Sequence, residues 1–91
     1  MIYNVEWTDA ALEGLRALWE PADPTTRSAI RRAIARIQDR LAIAPYTEGD
    51  SRPPGDHHLL FELPLCVTYR MERFGGAAVV IHIRLIRKRR P

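Results

Sequence analysis

Cysteine is almost absent from this chain. Cys66 stands alone, which excludes a disulfide framework and a zinc site built on paired thiolates. No apolar run approaches the ~20 residues needed to cross a bilayer. The opening Met1-Ile2-Tyr3-Asn4-Val5-Glu6-Trp7 lacks the charged start and apolar block of a secretory leader. A reducing cytoplasm is therefore the expected location, with no membrane partner. Lysine is nearly missing as well: every cation but Lys88 is an arginine, the side chain best suited to paired contacts with phosphate or carboxylate. Acidic residues are scarce beyond position 26. Residues 1 to 26 hold five acids against Arg16, a net charge of −4, whereas residues 27 to 91 hold thirteen bases against six acids, a net charge of +7. A basic portion of this kind implies a nucleic acid or an acidic protein segment as partner, or else a solvated arginine-rich surface.

What is present suffices for one domain. A chain of 91 residues with 46% apolar and 27% charged residues has the composition of a globular protein rather than a disordered tail. At this length it buries only somewhat more than ~60% of its unfolded surface, so the core must be economical. A single α+β domain spanning residues 1–91 is expected, with no room for a separate cofactor domain.

Periodicity assigns the elements. Ile2 to Trp7 is rich in β-branched and aromatic residues and reads as a strand. Thr8 stands where a hydroxyl would cap the following helix, with Asp9 at its positive end. Leu12, Leu15, Leu18 and Trp19 form one helical face, and Pro21 and Pro24 end that helix. A second helix is expected from Thr25 or Thr26, with Ile30, Ile34, Ile37 and Leu41 as its buried stripe. Arg32, Arg36 and Arg40 fall nearly opposite that stripe, as a solvated back or a binding face. The two helices should form an antiparallel hairpin on a sheet.

Pro45 to Asp56 carries three prolines and two glycines among polar residues, a loop signal. His57 to Leu63, Cys66 to Arg73 and Ala77 to Ile86 then read as three antiparallel strands, with turns at Pro64 and Gly75-Gly76. Alternation places Val79, Ile81, Ile83 and Leu85 on one face of the last strand, and Val80, His82, Arg84 and Ile86 on the other. In the middle strand Val67, Tyr69 and Met71 oppose Cys66, Thr68, Arg70 and Glu72. The apolar sets should meet both helices on one sheet face. The free face should gather Thr68, Arg70, His82 and Arg84, with Glu62 and one or both of His57 and His58. Adjacent histidines on a strand point to opposite faces, so His57-His58 makes a poor metal site.

Several segments carry a family likeness. They are Tyr3-Asn4-Val5-Glu6-Trp7-Thr8-Asp9-Ala10-Ala11, the helix exit from Leu41 to Pro45, Cys66-Val67-Thr68-Tyr69-Arg70-Met71, and Val79-Val80-Ile81-His82-Ile83. Their order and spacing, ending in Arg87-Lys88-Arg89-Arg90, resemble the RelE/ParE superfamily of bacterial toxins over nearly the whole chain. The resemblance implies the growth-inhibiting toxin of a type II toxin–antitoxin system. Its cognate antitoxin would lie across the helical hairpin and sheet in a hetero-oligomer. RelE-like members cut mRNA on the ribosome without a metal or other cofactor; ParE-like members inhibit DNA gyrase and are not nucleases. One scaffold serves both activities, so fold alone does not choose between them.

RNA cleavage without a metal requires a base for the 2′-hydroxyl, a donor for the leaving oxygen and cations around the phosphate. On the nuclease reading, Arg70 and Arg84 hold the phosphate and His82 is the acid or base. Arg87, Lys88 and Arg89 would bind the nucleic-acid backbone. Two departures from the family pattern favour a binder without catalysis, either a gyrase inhibitor or a module that only binds its antitoxin. Cys66 stands where RelE-like nucleases usually have an arginine, and no tyrosine or histidine follows the terminal basic run. As a plain residue, Cys66 suits a small buried filler.

Overall fold

Strand, helix, helix and four more strands succeed one another in the computed structural model: β1 (Asn4–Trp7), α1 (Asp9–Trp19), α2 (Pro24–Ile43), β2 (Asp50–Arg52), β3 (His57–Glu62), β4 (Leu65–Met71) and β5 (Ala77–Leu85). The structure describes residues 3–43, the backbone of 50–52, and residues 57–72 and 76–86.

Local chemistry sets the helix ends. Thr8 caps α1 as expected, its hydroxyl accepting from the Ala11 amide at 3.1 Å. Arg27 closes the other end, donating to the carbonyls of Trp19 and Glu20 at 3.1 Å each, where a cation also meets the negative end of the helix dipole. The second helix starts earlier than the sequence suggested. Pro24 is its first residue rather than part of a connection, because a proline at that position gives up an amide that has no helical partner anyway. Asp23 supplies the cap, accepting from the Thr26 amide at 2.7 Å.

The sheet has five strands in the order β1-β5-β4-β3-β2. The three strands expected from the sequence pair antiparallel as read, and β1 adds alongside β5 in parallel. The expected loop from Pro45 to Asp56 contains β2, which pairs antiparallel with β3 and forms one sheet edge. Both helices cover one face, so the α+β class and its layering stand as read.

One irregularity decides what each face carries. Thr68 pairs with His82 and Tyr69 with Val80, leaving Ile81 as an extra residue in β5. This β-bulge reverses the inside–outside alternation along the strand. Ala78 and Val80 therefore point to the helices on one side of it, and Ile83 and Leu85 on the other. The expected inward set of Val79, Ile81, Ile83 and Leu85 is thus corrected. Val79 pairs with Arg70 on the open face, and Val80 lies in the core instead of beside His82 and Arg84.

The core under the helices joins Ala11, Ile30, Ala33, Ile37 and Leu41 to Leu60, Leu65, Val67, Tyr69, Val80 and Ile83. Ala11 takes the buried place on α1, while Leu12, expected inside, is 49% exposed. Gly14 lies over β5: a Cβ there would come within 3.3 Å of the Ile83 Cγ2, so its missing side chain lets α1 sit close to the strand. Two polar contacts fix α2 across the sheet. The Trp7 indole donates to the Gln38 Oε1 at 2.6 Å, tying β1 to the helix. Arg40 reaches Glu62 at 2.8 Å and the Phe61 carbonyl at 3.3 Å, with Arg36 3.6 Å from the same carboxylate.

The Asp23 cap yields a pH prediction. Hydrogen bonding to Thr26, chiefly to its backbone amide, holds this exposed carboxyl below its ordinary value of 3.8. A carboxylate with a depressed folded pKa contributes stability that is present above the unfolded value and is lost as pH falls through the folded one. Asp23→Asn should keep the cap and the neutral-pH stability, since asparagine caps comparably. The same variant should lose less Tm on going below about pH 4. Thermal unfolding from neutral to acid pH checks this; an acid limb identical to the parent's contradicts it.

Candidate nucleic-acid interface

The sheet face away from the helices brings together most of the side chains singled out by sequence. Register places Cys66 opposite Arg84, Thr68 opposite His82 and Arg70 opposite Val79 across β4 and β5. On the far side of β4, Phe61 stands opposite Cys66, Leu59 opposite Thr68 and His57 opposite Arg70. Arg70, His82, Arg84 and His57 are all exposed. Neither arginine forms an ion pair with a carboxylate among the described residues.

Strand geometry gives the spacing. Neighbouring strands lie about 4.8 Å apart and residues advance about 3.4 Å along them, which puts the Cα atoms of Arg70 and His82 about 8 Å apart and those of Arg70 and Arg84 about 14 Å apart. The two guanidinium groups can thus contact one extended polyanion on either side of His82. Thr68, half-buried between them, adds a hydroxyl. Glu72, two residues beyond Arg70 with the same parity, and Glu6, at the β1 edge beyond Val79, are acidic positions on this face.

Two expected members of this face lie elsewhere. Glu62 faces the helices, its side chain 17% exposed and held by Arg40 and Arg36. Those arginines therefore anchor a strand and do not form a purely solvated helix back. His58 also turns inward and stacks on Tyr69, with ring centroids 5.1 Å apart and planes at 20°. His57 alone of the pair reaches the open face. Cys66 is 1% exposed, a free thiol enclosed in the sheet opposite Arg84. Arg87, Lys88, Arg89 and Arg90 lie outside the described residues. No cluster of three or more metal-binding side chains occurs among the described residues.

Between the helices runs a second feature, an apolar groove of about 350 Å³ lined by Leu12, Leu15, Arg16, Trp19, Arg31 and Ile34. Arg27 and Arg31 lie over the Trp19 ring, 5.2 and 5.5 Å from its centroid, and give the groove a cationic rim. No described helix is long and apolar enough to cross a membrane.

The fold is similar to that of solved RelE and ParE toxin–antitoxin structures. Similar solved structures include the chromosomal ParDE toxin–antitoxin system of P. aeruginosa, at a TM-score of 0.73 and 16% identity, with 94% of this chain and 98% of that one covered. The RelBE2 toxin–antitoxin complex of Mycobacterium tuberculosis matches at a TM-score of 0.71 and 16% identity, over 93% of this chain and 99% of that one. The isolated E. coli RelE toxin matches at 0.62 and 13% identity, over 96% of this chain and 87% of that one. No protein-family model matches the sequence, and no curated protein does.

The open face predicts measurable anion binding. Replacing Arg70 or Arg84 by alanine should weaken binding of a single-stranded RNA probe. Each replacement should also lower the slope of log affinity against log salt by about 0.7, the counterion share of one phosphate contact. Fluorescence anisotropy across a salt series checks this, and unchanged slopes in both variants contradict it.

Proposed function

We propose that this chain is the toxin of a type II toxin–antitoxin pair, acting in the cytoplasm as a metal-independent endoribonuclease on ribosome-bound mRNA. The observation that carries the reading is the grouping of Arg70, His82 and Arg84, all exposed, on the sheet face that the helices leave open. The guanidinium groups hold the RNA backbone and stabilise the charge that builds on the phosphate in the transition state. His82, diagonal to Arg70, transfers a proton at neutral pH. Arg87, Lys88 and Arg89 extend the contact along the nucleic-acid backbone. The cognate antitoxin neutralises the toxin in a hetero-oligomer, and the apolar groove between α1 and α2, with its arginine rim, suits an amphipathic helix bearing acidic residues.

A second reading is a non-enzymatic binder, either a ParE-like inhibitor of DNA gyrase or a relative that only binds its antitoxin. Cys66 favours it, because a buried thiol at that position removes a principal phosphate contact of the nuclease. The likeness to the P. aeruginosa ParDE system is compatible with it.

Expression in cells distinguishes the two. The parent chain should arrest growth and generate new mRNA 5′ ends inside translated codons, and the double variant Arg70→Ala, Arg84→Ala should do neither. Undiminished arrest by the double variant removes the proposed site. Intact mRNA together with inhibited gyrase supercoiling establishes the second reading instead.

A further inference from the structure

The nuclease reading leaves an exposed imidazole on the open face unused, that of His57. His57 stands in the row that crosses the sheet through Val79 and Arg70, directly opposite Arg70 on β3 and next to Arg52 on β2. His82 lies on the other flank of Arg70, diagonally across β4 and β5. Two exposed imidazoles thus bracket one exposed guanidinium. With two strand spacings between them and an offset of two residues, their Cα atoms are about 12 Å apart.

That separation suits an in-line transfer at phosphorus. The attacking and leaving oxygens stand on opposite sides of the phosphorus. A proton acceptor and a proton donor, each at a hydrogen bond of about 2.8 Å from its oxygen, are then held about 9 Å apart. Imidazoles rising from the same sheet face and leaning toward Arg70 span such a gap. Arg84 is too far along the sheet from His57 to replace either one, and His58, the neighbour of His57, is turned away against Tyr69.

Resting on the nuclease reading, we infer that His57 and His82 form an acid–base pair around a phosphate held by Arg70. One imidazole, neutral, takes the proton of the RNA 2′-hydroxyl as that oxygen bonds to phosphorus. The other, protonated, gives its proton to the 5′ oxygen as the P–O5′ bond breaks. The products are a 2′,3′-cyclic phosphate and a 5′-hydroxyl, and no water, metal or other reactant enters the step. The two histidines finish in exchanged protonation states, which proton exchange with solvent restores.

The charges around each imidazole are few. His57 faces Arg70 on β4, and Arg52 occupies the register position beside it on β2. His82 has Arg84 two residues along β5, Arg70 on the diagonal, and Thr68 opposite. Glu72 lies two residues beyond Arg70 on β4, on the diagonal from His57, and Glu6 at the β1 edge stands opposite Val79, on the diagonal from His82; Asp50 occupies the β2 register position next to Leu59. Arg70, which flanks both rings, supplies the positive charge for an anionic phosphate between them.

The test uses the full chain and ribosomes programmed with a defined mRNA. Rates are measured across pH for the parent, His57→Gln and His82→Gln, and product ends are identified by their susceptibility to kinase and phosphatase. The parent should show a bell-shaped profile and cyclic-phosphate ends. Each glutamine variant should fall by about 100-fold or more and lose one limb of the bell. Because His57 is exposed, the His57→Gln protein should keep the parent's Tm, which separates a chemical loss from an unfolded one. A parent that cleaves, with His57→Gln within threefold of it and still two-limbed, overturns the acid–base pair and leaves the nuclease reading standing. A parent that leaves programmed mRNA intact overturns both.

Discussion

A single extra residue in the central region of the sheet determines what this molecule can present to a partner. β5 must bury Ala78 and Val80 under α1 and α2 near its start, and Ile83 and Leu85 near its end. These positions have opposite parity, so an unbroken strand cannot bury both pairs. The bulge at Ile81 resolves the conflict. It lets Val80 face the core while His82, two residues on, faces outward beside Arg84. Without it, one of two things would follow: either His82 and Arg84 would be driven into an apolar core, or Ala78 and Val80 would be expelled from it. The cost of burying an unpaired charge excludes the first.

The rest of the fold holds that sheet face open and its reverse closed. α2 presents Ile30, Ala33, Ile37 and Leu41 to the sheet, and its polar flank grips two separate strands, β1 through Gln38 and Trp7 and β3 through Arg40 and Glu62. Such partly exposed ion pairs contribute only about 1 kcal/mol or less each, so their importance lies in registering the helix on the strands more than in stability. α1 lies close against β5 because Gly14 offers no Cβ to the strand, next to the region where the bulge has changed its alternation. Both helices are thereby committed to one face. The arginines and histidines on the other have no layer above them in the described residues.

Much of this was legible in the sequence, and the failures have physical causes. The helices declared themselves through apolar residues three and four apart, and Thr8 announced its cap. Strand limits in β3, β4 and β5 fell within about two residues of the expected ones, where boundary assignments ordinarily scatter. The bulge was not legible, because Ala77 to Ile81 is apolar at every position and either parity satisfies a buried face. Glu62 was assigned to the open face by its polarity, yet it faces α2 because Arg40, far away in sequence, supplies the compensating charge. β2 escaped because Asp50-Ser51-Arg52 is short and carries no apolar alternation. Of the candidate site, Arg70, His82 and Arg84 came together as read, although for His82 and Arg84 the reason was wrong: they share a face with Val79 and not with Val80. The place of His57 required the β3–β4 register, which no local pattern encodes.

On this account the open face is a consequence of core packing, with its chemistry added at the outward positions that packing leaves free. The most direct measurement is the deletion of Ile81. Removing it turns the remaining strand into one with unbroken alternation, Val80 inward, His82 outward, Ile83 inward and Arg84 outward. The account predicts a folded protein whose Tm falls by no more than about 8 °C, with His82 still accessible to solvent. Failure of the deletion variant to fold, or burial of His82 in a folded one, would contradict the claim that the bulge sets the two faces.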